Sequence, residues 1–219
     1  VTINNFVVFS VNDGVNGQEL WKSDGTSAGT SLIKDIYLGS SSSYAKNLVI
    51  YNSEVYFSAQ NSFSNTELWK SDGTTLGTVL VKDINTTNSS NPEFFILYNG
   101  ELFFTASSSI NGNELLKTNG TTVGIVLVKD IISGANDSNP INFCISNNKL
   151  FFGAKSPGNL GIELWKTDGT TAGTVIVKDI FTGMLSSTPE FLVDLNGTLI
   201  FTARSSNFGD ELWKSDGTN

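Results

Sequence analysis

Apolar residues come in short β-branched or aromatic runs, and Gly and Asn interrupt them every eight to twelve residues. No run follows the 3.6-residue period of a helix, so the pattern predicts strands and turns throughout. One unit reads Glu93-Phe94-Phe95-Ile96-Leu97-Tyr98, then Asn99-Gly100, then Glu101-Leu102-Phe103-Phe104-Thr105-Ala106. Asn and Gly both tolerate positive φ, so this dipeptide between two apolar runs predicts a type I′ hairpin, and Asn196-Gly197 predicts another. After a polar loop the chain continues as Glu114-Leu115-Leu116-Lys117, turns at Asn119-Gly120-Thr121, and resumes as Val126-Leu127-Val128-Lys129-Asp130-Ile131. Each unit therefore holds four short strands, A to D in chain order.

The unit repeats. Glu19 to Thr26 recurs at Glu67, Glu114, Glu163 and Glu211, with the Trp position at 21, 69, 116, 165 and 213, spacings of 48, 47, 49 and 48. Four antiparallel strands in such a period match one propeller blade, whereas a β-helix needs shorter, parallel coils. The predicted fold is an all-β propeller of four-stranded antiparallel blades, five in number, the last lacking its outer strand. It occupies 1–219 as one domain, in repeats 1–36, 37–84, 85–131, 132–180 and 181–219. An arc of a larger ring, or a fifth blade completed by another chain, are the alternatives. The start on Val reads as a processed or excised piece of something longer. Strands A and B are expected to be sandwiched on both faces, with C and D nearer a charged rim.

Hydrophobic residues at 39% and charged residues at 16% are compatible with a packed core and exclude disorder. A net charge of −8 repels phosphate backbones, so nucleic acid is an unsuited partner. No apolar run is long enough to span a bilayer, so membrane insertion is not expected. Nine of the thirteen basic residues are the Lys after the Trp position or the Lys of Lys34-Asp35, Lys82-Asp83, Lys129-Asp130 and Lys178-Asp179. They are expected to form a solvated ladder of ion pairs, the Lys-Asp of strand D facing the Lys or the Glu of strand C. Cys144, the single cysteine, aligns with Val49, Ile96 and Val193 and reads as a buried small hydrophobe.

Trp21, Trp69, Trp165 and Trp213 share a strand face with the Glu two residues before them. They are expected to pack between adjacent blades with the indole N–H on a backbone carbonyl, and Leu116 in the third copy fits packing better than recognition. Asp24, Asp72, Asp168 and Asp216, with Asn119 in the third copy, precede Gly-Thr, the composition of an Asx turn. Calcium requires more convergent oxygens than one carboxylate per turn, so no metal is predicted.

The string Glu-Leu-Trp-x-x-Asp-Gly-Thr-x-x-Gly-Thr stands in full at Glu19 to Thr30, Glu67 to Thr78 and Glu163 to Thr174. In this the chain resembles the bacterial ELWxxDGT repeat family over essentially its whole length. The third copy departs at Leu116, Asn119 and Ile125, and the fifth stops after Thr218. The resemblance implies a secreted or surface-displayed bacterial protein, often a large multi-repeat one, of a family for which no general enzymatic activity is established.

The chain contains no His, which removes the commonest general base and metal ligand. Paired carboxylates remain as a lesser, glycoside hydrolase reading, through Glu93, Glu190 and Asp194 near strand A. These would need to stand about 5–5.5 Å apart to retain configuration or about 6.5–9.5 Å to invert it. No cofactor is expected. The B to C and D to A loops share one face of a propeller, and there the copies diverge most. Each B to C loop carries an apolar residue: Val15, Phe63, Ile110, Leu160 or Phe208. In the simpler reading these tuck against the neighbouring blade. In the sharper one they form a ring of shallow sites for protein or glycan. The expected function is non-catalytic binding or adhesion outside the cell or at its surface, the alternative a structural scaffold. The incomplete last blade offers a route to self-association.

Overall fold

The computed structural model describes residues 1–206 and 208–218, so Asn207, in the fifth B to C loop, and Asn219 lie outside the described residues. The first sheet comprises β1 (Thr2–Ile3), β2 (Phe6–Asn12), β3 (Gln18–Ser23) and β4 (Ser31–Lys34). The second comprises β5 (Lys46–Tyr51), β6 (Glu54–Gln60), β7 (Thr66–Ser71) and β8 (Val79–Lys82). The third comprises β9 (Glu93–Tyr98), β10 (Glu101–Ser108), β11 (Gly112–Thr118) and β12 (Val126–Lys129). The fourth comprises β13 (Ile141–Ser146), β14 (Lys149–Lys155), β15 (Ile162–Thr167) and β16 (Val175–Lys178). β17 (Glu190–Leu195), β18 (Thr198–Ser205) and β19 (Gly209–Ser215) form a fifth sheet of three strands. Neighbours in each sheet are consecutive in sequence, a propeller-like all-β arrangement, and the turn Pro157–Asn159 is the only helical element among the described residues.

Every A to B hairpin turns through two left-handed residues: Asn4-Asn5, Asn52-Ser53, Asn99-Gly100, Asn147-Asn148 and Asn196-Gly197. Asn leads all five, and its tolerance of positive φ does the work that the Asn-Gly pair announced in only two. Strand A is bulged one residue after its start, where Asn47, Phe94, Asn142 and Phe191 take φ of 59, 54, 59 and 52°. Asn47 and Asn142 use the kink to donate to Pro92 O and Pro189 O of the next sheet. Phe191 gains no such bond and is 79% exposed, so its conformation is uncompensated. Phe191→Asn is expected to raise unfolding free energy by about 1 kcal/mol in urea titration.

Strand B carries the core. Its consecutive aromatics point to opposite faces, so each fills a different interface. Phe57 packs toward the first sheet and Tyr56 toward the third, while Phe104 and Phe103, then Phe152 and Phe151, repeat the division. Four clusters result, each shared by two consecutive sheets. Strand A is not sandwiched as expected: β17 is largely exposed and β5, β9 and β13 are only partly buried. Among the described residues no cluster and no hydrogen bond joins the fifth sheet to the first. Leu212, whose counterparts Leu68, Leu115 and Leu164 are at most 1% exposed, is therefore 74% exposed.

Trp69 and Trp165 are buried against the preceding sheet, and Leu116 takes that place between the second and third sheets. Trp213 is half-buried at the fourth interface, and Trp21, on the first sheet, is half-buried. Among the described residues the expected indole bond to a carbonyl forms only at Trp213, which donates to Ala203 O at 3.1 Å. Trp165 donates to Ser156 Oγ instead, and the Trp21 and Trp69 nitrogens have no protein partner among the described residues. Cys144 is half-buried rather than enclosed, packed against the fourth cluster, and desolvation raises its thiol pKa.

The ion-pair ladder is absent among the described residues. Lys70 and Lys117 pair with strand B acids, Glu54 at 3.0 Å and Glu101 at 2.8 Å. Phe6 and Lys149 fill the position of those acids in the first and fourth sheets, so Lys22 and Lys166 reach Gly73 O and Gly217 O of the next sheet. Lys34 and Lys129 likewise donate to Thr78 O and Thr174 O. The lysines thus tie sheet to sheet. The Asp of each Lys-Asp pair lies just beyond strand D, and Asp35, Asp130 and Asp179 accept from the amides of Gly39, Gly134 and Gly183.

Candidate functional site

The two divergent loops of each unit meet on one face. Ser43 N donates to Gln18 O, Ser90 N to Thr66 O, Ser138 N to Asn113 O and Ser187 N to Ile162 O, joining the D to A connection to the start of strand C. The approach is close enough that a Cβ on Gly161 would lie 2.4 Å from Leu185 O.

The clamp beneath these loops is the motif glutamate. Glu19, Glu67, Glu114 and Glu163 are at most 1% exposed, and among the described residues none of them forms a salt bridge. Glu67 accepts from Ile84 N at 2.8 Å, Ser90 N at 2.8 Å and Ser90 Oγ at 2.5 Å. Glu163 accepts from Ile180 N, Ser187 N and Ser187 Oγ at 2.8, 3.0 and 2.7 Å. Glu19 repeats the pattern with Ile36 N and Ser43 N at 2.9 and 2.8 Å. Desolvation raises the pKa of all four, against the pull of these donors. Glu114, whose amide contacts stretch to 3.3 and 3.2 Å, is pushed up to about 7. Glu211, in the three-stranded sheet, is exposed and accepts no hydrogen bond among the described residues.

At the opposite end, Asp24, Asp72, Asp168 and Asp216 close Asx turns as expected, and Asn119 closes the fifth. The Thr hydroxyl, and then the Thr amide, holds each carboxyl below the usual carboxylate range. A Cβ at Gly77 would stand 2.1 Å from the Asp72 carboxylate, which is why the second motif Gly is fixed.

Of the apolar loop residues, Val15, Phe63, Ile110 and Phe208 are 71, 88, 73 and 76% exposed, so they do not tuck against a neighbouring blade. Leu160, following the Pro157–Asn159 turn, is half-buried. The D to A loops add exposed Leu38, Tyr44, Met184 and Leu185 to the same face, residues the sequence reading did not single out.

Asp194 does not converge with Glu190, and Glu93 is engaged by a neighbouring sheet. Glu93 pairs with Lys46 of the second sheet at 2.8 Å. Glu190 and Asp194 stand opposite Thr202 and Leu199, three positions apart on β18, so roughly 10 Å separates them and they point to opposite faces. Asp194 accepts from Ser146 Oγ of the fourth sheet at 2.5 Å.

No family model matches the chain, and no curated protein does. Solved structures do. Puromycin hydrolase, as an S511A mutant complexed with PGG, matches 91% of this chain at a TM-score of 0.56 and 11% identity. Prolyl oligopeptidase B from Galerina marginata matches 99% at 0.55 and 10%, and Kuenenia stuttgartiensis hydrazine synthase 96% at 0.51 and 11%. This chain spans 31, 30 and 35% of their respective lengths. At such identities the likeness is one of fold, and it agrees with the propeller-like arrangement of the sheets. No helix among the described residues is long and apolar enough to cross a membrane.

Proposed function

We propose that this chain is a non-catalytic binding propeller, acting outside the cell or at its surface, whose loop face recognises protein or glycan. The observation that carries this reading is the row of exposed apolar side chains Val15, Phe63, Ile110 and Phe208 on the B to C loops of four units, in the first three of which the adjoining D to A loop is pinned by a buried glutamate. Exposed aromatic groups on a rigid frame lose little entropy when they bind, and equivalent weak sites gain by avidity. The ELWxxDGT resemblance supports the extracellular or surface location, and the repetition of the sheets supports five blades of one propeller.

The test is an array of glycans and surface proteins probed with the purified chain. The double variant Phe63→Ala, Phe208→Ala is expected to lose at least about tenfold in apparent affinity while its unfolding free energy changes by less than about 0.5 kcal/mol, since both side chains are in solvent. No binding by the folded parent would turn the assignment toward a structural scaffold, and binding that survives both substitutions would remove these side chains from the site.

A further inference from the structure

A recess of about 280 Å³ opens on the loop face between the third and fourth units, both of which have all four strands. Its frame is fixed on two sides. Pro157 locks one backbone dihedral of the fourth B to C loop, Ser156 N donates to Gly161 O at 2.8 Å, and Trp165 Nε1 donates to Ser156 Oγ at 3.0 Å. On the other side Ile162 N donates to Ser186 Oγ at 2.9 Å, which binds this loop to the D to A connection. Ser156 is only 5% exposed, and its hydroxyl hydrogen has no acceptor among the described residues. Lys155, Asn159 and Ser186 complete the polar lining, while Ile132 and Met184 supply apolar walls.

Lys155 is the one charged residue of that lining, and no carboxylate in the fold compensates it. Arg204 holds the same place in the fifth unit and pairs at 3.2 Å with Asp210, directly opposite on strand C. Ile162 stands opposite Lys155 instead, and Lys155 is exposed and forms no salt bridge among the described residues. Asp137, beside the Ser138 carbonyl that accepts from Lys155 N, is turned to Asn113 N at 2.7 Å. We propose that the recess takes one acidic sugar unit of a glycan, its carboxylate on Lys155, its hydroxyls on Ser156, Asn159 and Ser186, and a C–H face against Met184. This rests on the binding reading of the loop face and names the chemistry of one of its sites. The net charge of −8 opposes an anion at long range, but salt screens that field within about 10 Å, and the Lys155 contact acts inside that distance. The volume falls just under the about 300–1,000 Å³ of drug-sized ligand pockets, which suits a single ring. An extended peptide lacks a strand edge to join, since β14 and β15 are each paired on both sides.

The test is an NMR titration of the full chain, read at the amides of Ser156, Gly161 and Ile162, with methyl glucuronide, methyl glucoside and N-acetyl-aspartate amide in separate arms. Methyl glucuronide is expected to shift these amides saturably, and each of the other two to bind at least about tenfold more weakly. Lys155→Met is expected to lower glucuronide affinity by at least about tenfold, to the level of the glucoside, while Lys155→Arg keeps the preference for the acid. Lys155 is exposed, so Lys155→Met keeps the melting temperature of the parent and a loss reports on the contact. No shift at the recess with glucuronide, equal affinity for glucuronide and glucoside, or unchanged affinity in Lys155→Met would overturn the assignment. Tighter binding of the aspartate derivative would also overturn it, giving the recess to a protein carboxylate. The double variant Phe63→Ala, Phe208→Ala is expected to bind glucuronide as the parent does, because neither side chain lines the recess. Array binding that requires Phe63 and Phe208 but survives Lys155→Met would keep the binding reading and remove this recess from it.

Discussion

Glu163→Ala is expected to destabilise the protein by about 3–5 kcal/mol, whereas Glu211→Ala at the equivalent position is expected to cost less than about 0.5 kcal/mol. The two residues share a motif and a strand position, but not an environment. Glu163 is fully buried and receives Ile180 N, Ser187 N and Ser187 Oγ. Truncation leaves those three donors without an acceptor in a site closed to solvent, and each unsatisfied buried donor costs roughly 1–3 kcal/mol before relaxation. Glu211 is exposed, so its removal strands nothing. Glu163→Gln keeps a carbonyl oxygen for the amides and sheds the cost of a buried charge, so its expected loss is below about 1.5 kcal/mol. Urea unfolding monitored by tryptophan fluorescence measures all three. A Glu163→Ala loss equal to that of Glu211→Ala would mean that the carboxylate does not hold the D to A loop.

That clamp also marks the boundary of what the residues announced beforehand. The strand pattern, the period and the Asx turns were legible because each depends on neighbours in sequence: Asp24 bonds two residues ahead, and Asn99-Gly100 turns on its own φ preferences. The glutamate was misplaced in an ion-pair ladder because its partners lie 17 and 23 or 24 residues away. A signal existed. Every complete unit has Ile 17 residues after the Glu and Ser 23 or 24 after it, at Ile36 and Ser43, Ile84 and Ser90, Ile131 and Ser138, and Ile180 and Ser187. A carboxylate, an aliphatic residue and a hydroxyl held at constant offsets describe a satisfied buried acid better than a surface pair. The lysines misled for a related reason, since their acceptors are carbonyls of the next sheet, which no residue type encodes. The apolar loop residues were found by position, but their exposure was not, because it depends on how far each loop stands off its sheet. Nor did the chain's pattern distinguish Phe94 and Phe191 from ordinary strand residues, although both take the left-handed conformation at the bulge.

Stability is expected to rise as pH falls from 7.5 toward 5, a trend set by the same buried acids. Glu114 has its folded pKa pushed up to about 7 by desolvation, against 4.5 for the free group. Between those values the folded state binds a proton that the unfolded chain does not, so acidification favours folding there, by about 3 kcal/mol when complete. The benefit is full below 4.5 and is lost as pH rises through 7. Glu19, Glu67 and Glu163 are displaced in the same direction and add to it. The turn aspartates act oppositely: Asp24, Asp72, Asp168 and Asp216 are held below 3.8, so their contribution is present above that value and lost as pH falls further. The two sets place the maximum at roughly pH 4–5, beside the sequence pI of about 4.5, so unfolding must be followed at low protein concentration to avoid precipitation. Relief of the net charge of −8 would tilt the profile the same way without any buried acid. Glu114→Gln separates the two causes, because it removes the titrating proton and changes net charge by only one. Its unfolding free energy between pH 5 and 7.5 is expected to vary by about 2–3 kcal/mol less than that of the parent. Parallel profiles for parent and variant would assign the trend to surface repulsion and leave Glu114 ionised in its cavity.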